Sequence, residues 1–112
     1  MTGAMRWFEM GVPDSARAQA FYGPLLGWTF ESMGEDGAVI HIADGRAGGL
    51  HGSDDARNIV TYFEVDDIDG AIAQVRELGG EADEPSPVEE GFGRFVTCRD
   101  DQGVTFGLHQ PM

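Results

Sequence analysis

The chain has no lysine, a single cysteine, and no apolar run approaching the roughly 18 residues that a membrane-spanning helix needs. Each lack excludes something. Cys98 alone cannot close an internal disulfide, so a reducing cytoplasm is the expected setting. The opening stretch MTGAMRW lacks the apolar core of a secretory signal. With lysine absent, positive charge rests on arginine alone: 7 bases face 20 acids, a net charge of −13. Such a surface repels nucleic acid and anionic lipid and attracts cations. No nucleic-acid or membrane partner is therefore expected. Two readings of the acidity stay open: solubility or adaptation to salt, and a cleft tuned to a cationic ligand. No phosphate-cradling glycine loop, zinc spacing or nucleophile elbow is present.

The 41% hydrophobic content fits a globular chain, and 112 residues fit one domain. In RWFEMGV, Phe8, Met10 and Val12 alternate with Trp7, Glu9 and Gly11, the period of a half-buried strand. Asp14 or Ser15 then caps a helix carrying Ala18, Phe21, Tyr22, Leu25 and Leu26, with Gly23-Pro24 loosening its last turn. WTFESM, GAVIHIA and AGGLHG read as three strands. The plan then recurs. NIVTYFEV is a strand; Asp66 or Asp67 caps a helix with Ile68, Ile72, Val75 and Leu78 on one face; Gly79-Gly80 ends it. A weak strand near Glu81-Ala82 and two strong ones, GRFVTCR and GVTFGLH, follow. An offset of 53 residues lays Val12 on Val65 and Ala20 on Ala73, while an offset of 58 lays Gly49-Leu50-His51 on Gly107-Leu108-His109. The longer second offset reflects the loop EPSPVEEGFG at 84–93. The chain is a βαβββ unit, duplicated.

That plan, with VPDSARAQAFYGPLLGW, FEVDDIDGAIAQVRELGG and GRFVTCRDDQGVTFGLHQP, resembles the vicinal oxygen chelate superfamily of glyoxalases, bleomycin-resistance proteins and dioxygenases. The resemblance covers nearly the whole chain and is specific for the superfamily, not for one activity. It implies an α+β fold: one domain over 1–112, with units at about 5–52 and 58–110 forming one curved mixed sheet around a cleft, helices on the outer face. It also implies a homodimer. In the superfamily's enzymes a divalent metal is held from four positions, and these fall here on Trp7, Val60, Gly49 and Gly107. None has a donor side chain of the usual kind, so the metal site reads as dismantled and no cofactor is expected. A register slip of two residues would keep the face and bring in Glu9, His51 or His109; Glu64 needs a larger slip.

The ligand-binding candidates are Trp7, Glu9, Tyr62, Glu64, His51 and His109. Both histidines sit two residues beyond the repeated glycines, on the same strand face, and read as cleft-rim ligands or as solvated surface histidines. His41 reads as a sheet-face histidine. Glu9 and Glu64 read as desolvated bases, as holders of a cation, or as partners of Arg6, Arg94 or Arg99. Trp7 and Tyr62 offer an aromatic wall for a flat or cationic molecule; a dimer interface or plain packing serves them equally. Phe106 should face the core, and Trp28 should begin a strand. Loop 84–93 is a lid or a connector, and Cys98 a buried small residue. The expected function is metal-independent binding of an aromatic or cationic small molecule, such as an antibiotic. Two alternatives remain: a divalent-metal lyase, isomerase or dioxygenase with displaced ligands His51, His109 and Glu9 or Glu64, and a metal-free acid–base enzyme using Glu9 or Glu64.

Overall fold

The computed structural model describes residues 2–112. The elements run β1 (Met5–Gly11), α1 (Ser15–Leu26), β2 (Thr29–Ser32), β3 (Gly37–His41), β4 (Ala47–His51), β5 (Asn58–Glu64), α2 (Ile68–Glu77), β6 (Glu81–Ala82), β7 (Arg94–Arg99) and β8 (Thr105–Gln110). This is the duplicated βαβββ plan, an α+β fold. The described residues gather into two compact units: Trp7–Ile59, and Val60–Met112 together with the residues up to Arg6.

In the first unit the strands lie in the order β2-β3-β4-β1, with β1 parallel to β4 and the other pairs antiparallel. Alternation along β1 sends Phe8 and Met10 to the helix side, where Ala18, Ala38, Ile40 and Leu50 form a core joined by Val12, Tyr22, Trp28 and Phe30. Helix α1 starts at Asp14, whose side chain accepts from the Arg17 N–H at 3.1 Å. Pro24 sits inside the helix, which runs on to Leu26 and closes on Gly27, left-handed at φ 71°. Two expectations are corrected here. Ala18 and Tyr22, one turn apart, are the α1 residues in the core, whereas Phe21, Leu25 and Leu26 are exposed. Trp28 lies just outside β2 and packs beside Tyr22 and Phe8, so the tight helix exit, not a strand, positions it.

In the second unit the order is β5-β8-β7-β6, with β5 parallel to β8. Val65, Ile68, Ile72, Val96, Cys98 and Leu108 form its core, with Phe106 packed against them as expected. Fully burying Ile40, Ile68 or Val96 contributes about 1.5–3 kcal/mol each. Asp67 caps α2 by accepting from the Gly70 N–H at 3.2 Å. A second tie comes from far along the chain: Gln110 Oε1 accepts from the Ile68 N–H at 2.8 Å. Leu78 is exposed rather than packed, because it is already the C-cap residue and the helix is leaving its sheet. Loop 84–93 is tied to β7 and folded on itself. Ser86 donates its N–H to the Phe95 carbonyl and accepts the Phe95 N–H on its Oγ, and Glu89 pairs with Gly93.

The registers carry the duplication into space. β1 sets Glu9 opposite Gly49 and Gly11 opposite His51; β5 sets Tyr62 opposite Gly107 and Glu64 opposite His109. No helix among the described residues is long and apolar enough to cross a membrane.

Candidate functional site

On the sheet face of the first unit that points away from α1, three sequence candidates come together. The Trp7 indole N–H donates to the Glu9 carboxylate. That carboxylate fills the space which a side chain at Gly49 would occupy. His51 Nε2 lies 3.5 Å from Glu9 Oε1, and its Nδ1 lies 3.0 Å from Asp54 Oδ2. Asp54 reaches the histidine across Gly11, whose missing side chain leaves the room. Its other oxygen accepts from the Ala56 N–H at 2.8 Å, which fixes the carboxylate. The turn holding Asp54 is anchored to β1, with the Asp54 N–H donating to the Val12 carbonyl at 3.0 Å. Burial raises the Glu9 proton affinity above the usual carboxylate range; the Trp7 hydrogen bond and the charge of His51 oppose that rise. The Glu9 side chain is 31% exposed and that of His51 is 46%, so both are reachable from solvent.

Asp54 escaped the sequence reading. It stands in the irregular stretch GSDDAR, where no periodicity assigns a facing. The signal available was the pair of glycines, Gly11 and Gly49, on the face that carries Trp7, Glu9 and His51.

The matching face of the second unit is aromatic. Tyr62 lays its ring over Gly107, and its hydroxyl shares a hydrogen bond with Thr97 Oγ1 at 3.3 Å. Phe95 meets Tyr62 edge-on at 6.1 Å, Phe92 meets Phe95 edge-on at 5.8 Å, and the Phe92 and His109 rings lie 4.4 Å apart. His109 is 3% exposed, which corrects the one of its two readings that made it a solvated surface histidine. Loop 84–93 causes this, because it brings Phe92 over the imidazole, and the His109 Nε2–H donates to the Phe92 carbonyl at 2.6 Å. Glu64 stands apart from this cluster, with Arg6 Nη1 at 3.8 Å from its carboxylate. Arg94 and Arg99 pair instead with Asp69 and with Asp83 and Glu81. His41 pairs with Glu31 at 3.1 Å on the outer strands. Cys98 is buried and its thiol is pushed up by burial first and by Asp83 second.

A divalent metal does not fit the four positions that the resemblance assigns to it. Gly49 and Gly107 have no side chains, and the spaces beside them hold the Glu9 carboxylate and the Tyr62 ring. Trp7 and Val60 bring an indole and an isopropyl group, neither a ligand for such ions. Among the described residues no group of three or more His, Cys, Asp or Glu side chains is placed to hold a metal ion.

A duplicated βαβββ plan with paired sites at the repeated strand positions defines the glyoxalase-like class, and the chain belongs to the Glyoxalase/Bleomycin resistance protein/Dioxygenase superfamily, whose family model matches residues 4–108. Among similar proteins, "Putative glyoxylase CFP32" of Mycobacterium tuberculosis (strain CDC 1551 / Oshkosh) is 31% identical over 98% of this chain and 45% of its own length. The "Anthracycline biosynthesis protein DnrV" of Streptomyces peucetius is 27% identical over 95% of this chain and 46% of its own length. The chain thus spans a little under half the length of these relatives. Solved structures share the fold: homoprotocatechuate 2,3-dioxygenase from Arthrobacter globiformis superposes with a TM-score of 0.77 at 19% identity, covering 99% of this chain and 37% of that one. Methylmalonyl-CoA epimerase from Mycobacterium tuberculosis superposes with a TM-score of 0.71 at 17% identity, covering 99% and 89%.

Proposed function

We propose that this chain is a metal-independent small-molecule binding protein of the glyoxalase/bleomycin-resistance type, taking a flat aromatic compound that carries positive charge. The observation that carries this reading is the Glu9 carboxylate, seated at Gly49 beside the Trp7 indole with His51 as its ionic neighbour. A carboxylate whose ionisation is opposed by burial gains from a cation that pairs with it, and Trp7 adds a ring for stacking and cation–π contact. The aromatic set Tyr62, Phe92 and Phe95 supports the same class of ligand. So does the name of a relative, a protein of anthracycline biosynthesis, which keeps an antibiotic among the candidates. The reading includes a cytoplasmic setting and a homodimer, which would cover the outer strands β2 and β6.

The test pairs elemental mass spectrometry of the purified protein with a titration of benzyltrimethylammonium followed by tryptophan fluorescence. The expected result is no stoichiometric metal, a melt indifferent to chelator, and saturable quenching weakened about tenfold in Glu9→Gln, the size of one lost charge-assisted contact. A stoichiometric divalent ion with a chelator-sensitive melt would sink the reading. One observation favours a second reading. Glu9, with its raised proton affinity, faces His51 at 3.5 Å, an arrangement suited to metal-free acid–base chemistry. Turnover of a bound ligand that vanishes in Glu9→Gln would establish it.

A further inference from the structure

We propose that His109 forms a subsite for an aromatic ring bearing a hydroxyl or amine, and that Phe92 is a displaceable cover over that subsite. The inference rests on the small-molecule reading above and adds the ligand's donor group and the gate. His109 is almost wholly buried on β8, and its Nε2–H is spent on the Phe92 carbonyl. A neutral imidazole with Nε2 protonated leaves Nδ1 as a bare acceptor. That Nδ1 has no hydrogen-bond partner among the described residues. Buried acceptors are ordinarily paired, and an unpaired one marks a place where a donor is wanted.

The cover is a different kind of structure from what it covers. His109, Phe95 and Tyr62 stand on strands, whereas Phe92 lies in the turn between Glu89 and Gly93. Gly91 at φ 82° and Gly93 at φ 109° bracket it with backbone that side-chain-bearing residues rarely adopt. Gly93 is pressed against the Gln110 carbonyl, while a side chain at Gly91 would meet nothing. Phe92 thus sits between a closely packed glycine and one whose Cβ position opens to space, and its N–H donates to the Glu89 carbonyl at 3.0 Å. Displacing the Phe92 ring gives up its contacts with the His109 and Phe95 rings, and moving its backbone also gives up the bond from His109 Nε2–H to its carbonyl. An incoming aromatic ring restores the stack, and an O–H or N–H at its edge satisfies Nδ1.

The experiment uses nitrogen-labelled wild type and Phe92→Ala, each titrated with tyramine and, separately, with phenethylamine, which lacks the hydroxyl. The His109 Nδ1 resonance and tryptophan fluorescence are followed together. Tyramine is expected to bind Phe92→Ala about tenfold tighter than wild type, because opening the cover no longer taxes its affinity. It should also move the Nδ1 resonance in both proteins, with phenethylamine moving it less. Unchanged or weaker tyramine binding in a natively melting Phe92→Ala overturns the proposal. Should that variant fail to fold, the wild type decides: an Nδ1 resonance that stays in place under saturating tyramine overturns the subsite. Fluorescence quenching without Nδ1 movement leaves the small-molecule reading standing and removes the subsite; loss of both signals removes both.

Discussion

Glu9 occupies the place of a side chain that Gly49 does not have, and the strand register sets the two residues directly opposite each other. The Glu9 carboxylate therefore depends on a glycine for its position.

Gly49→Ala should displace the Glu9 carboxylate and destabilise the protein by about 1–3 kcal/mol, the usual cost of overfilling a packed position. Denaturant titration measures it. In a double-mutant cycle, Glu9→Ala should relieve most of the defect when combined with Gly49→Ala. Additive losses would mean that the two groups do not compete for the same space. Gly107→Ala should behave likewise against the Tyr62 ring.

The raised proton affinity of Glu9 gives a signed pH dependence. The folded protein holds this proton more tightly than the unfolded chain, whose value is the ordinary 4.5. Stability from this group is full below 4.5 and declines as pH rises through the higher folded value. Glu9→Gln removes that titration. The melting temperature of the variant relative to wild type should therefore climb from acidic to neutral pH, read from melts at matched ionic strength. A difference that stays constant with pH would show that burial does not disfavour the Glu9 charge.

Cys98 lies within the core of the second unit and its thiol is pushed up by burial. A disulfide reagent should leave it untouched in the native protein and modify it only as fast as the chain unfolds. Rapid modification under native conditions would place the thiol at the surface.

Gln110→Ala should cost about 1–2 kcal/mol, because it strands the N–H of the fully buried Ile68 at the start of α2. Asp67→Ala, which removes the cap beside it, should cost about 1 kcal/mol. Thermal melts of both variants test whether a side chain from the last strand helps hold that helix.

Local pattern carried most of the fold. Alternation in β1 placed Phe8 and Met10 on the core side, and Pro13-Asp14 marked the entry to α1. What pattern missed is contact made by irregular chain. Periodicity put Phe21 and Leu25 with Ala18, yet which row of a short helix reaches the sheet depends on how the helix is laid down. His109 read as a rim ligand or a solvated strand end, and its burial escaped because its cover comes from a loop whose path no repeat describes. Asp54 was invisible for the same reason, its reach to His51 being set by Gly11 and by the turn bonds after β4. That Trp7, Glu9 and His51 share a face was legible in sequence; the neighbours of each were not.

The repeated register means that the paired first and last strands of each half have counterparts in the other. Glu9 and Tyr62, or His51 and His109, stand at equivalent points with different surroundings, one pair of positions wet and acidic, the other dry and aromatic. The molecule holds its own control experiment: a side chain moved from one repeat to its counterpart changes the environment while the backbone geometry stays the same.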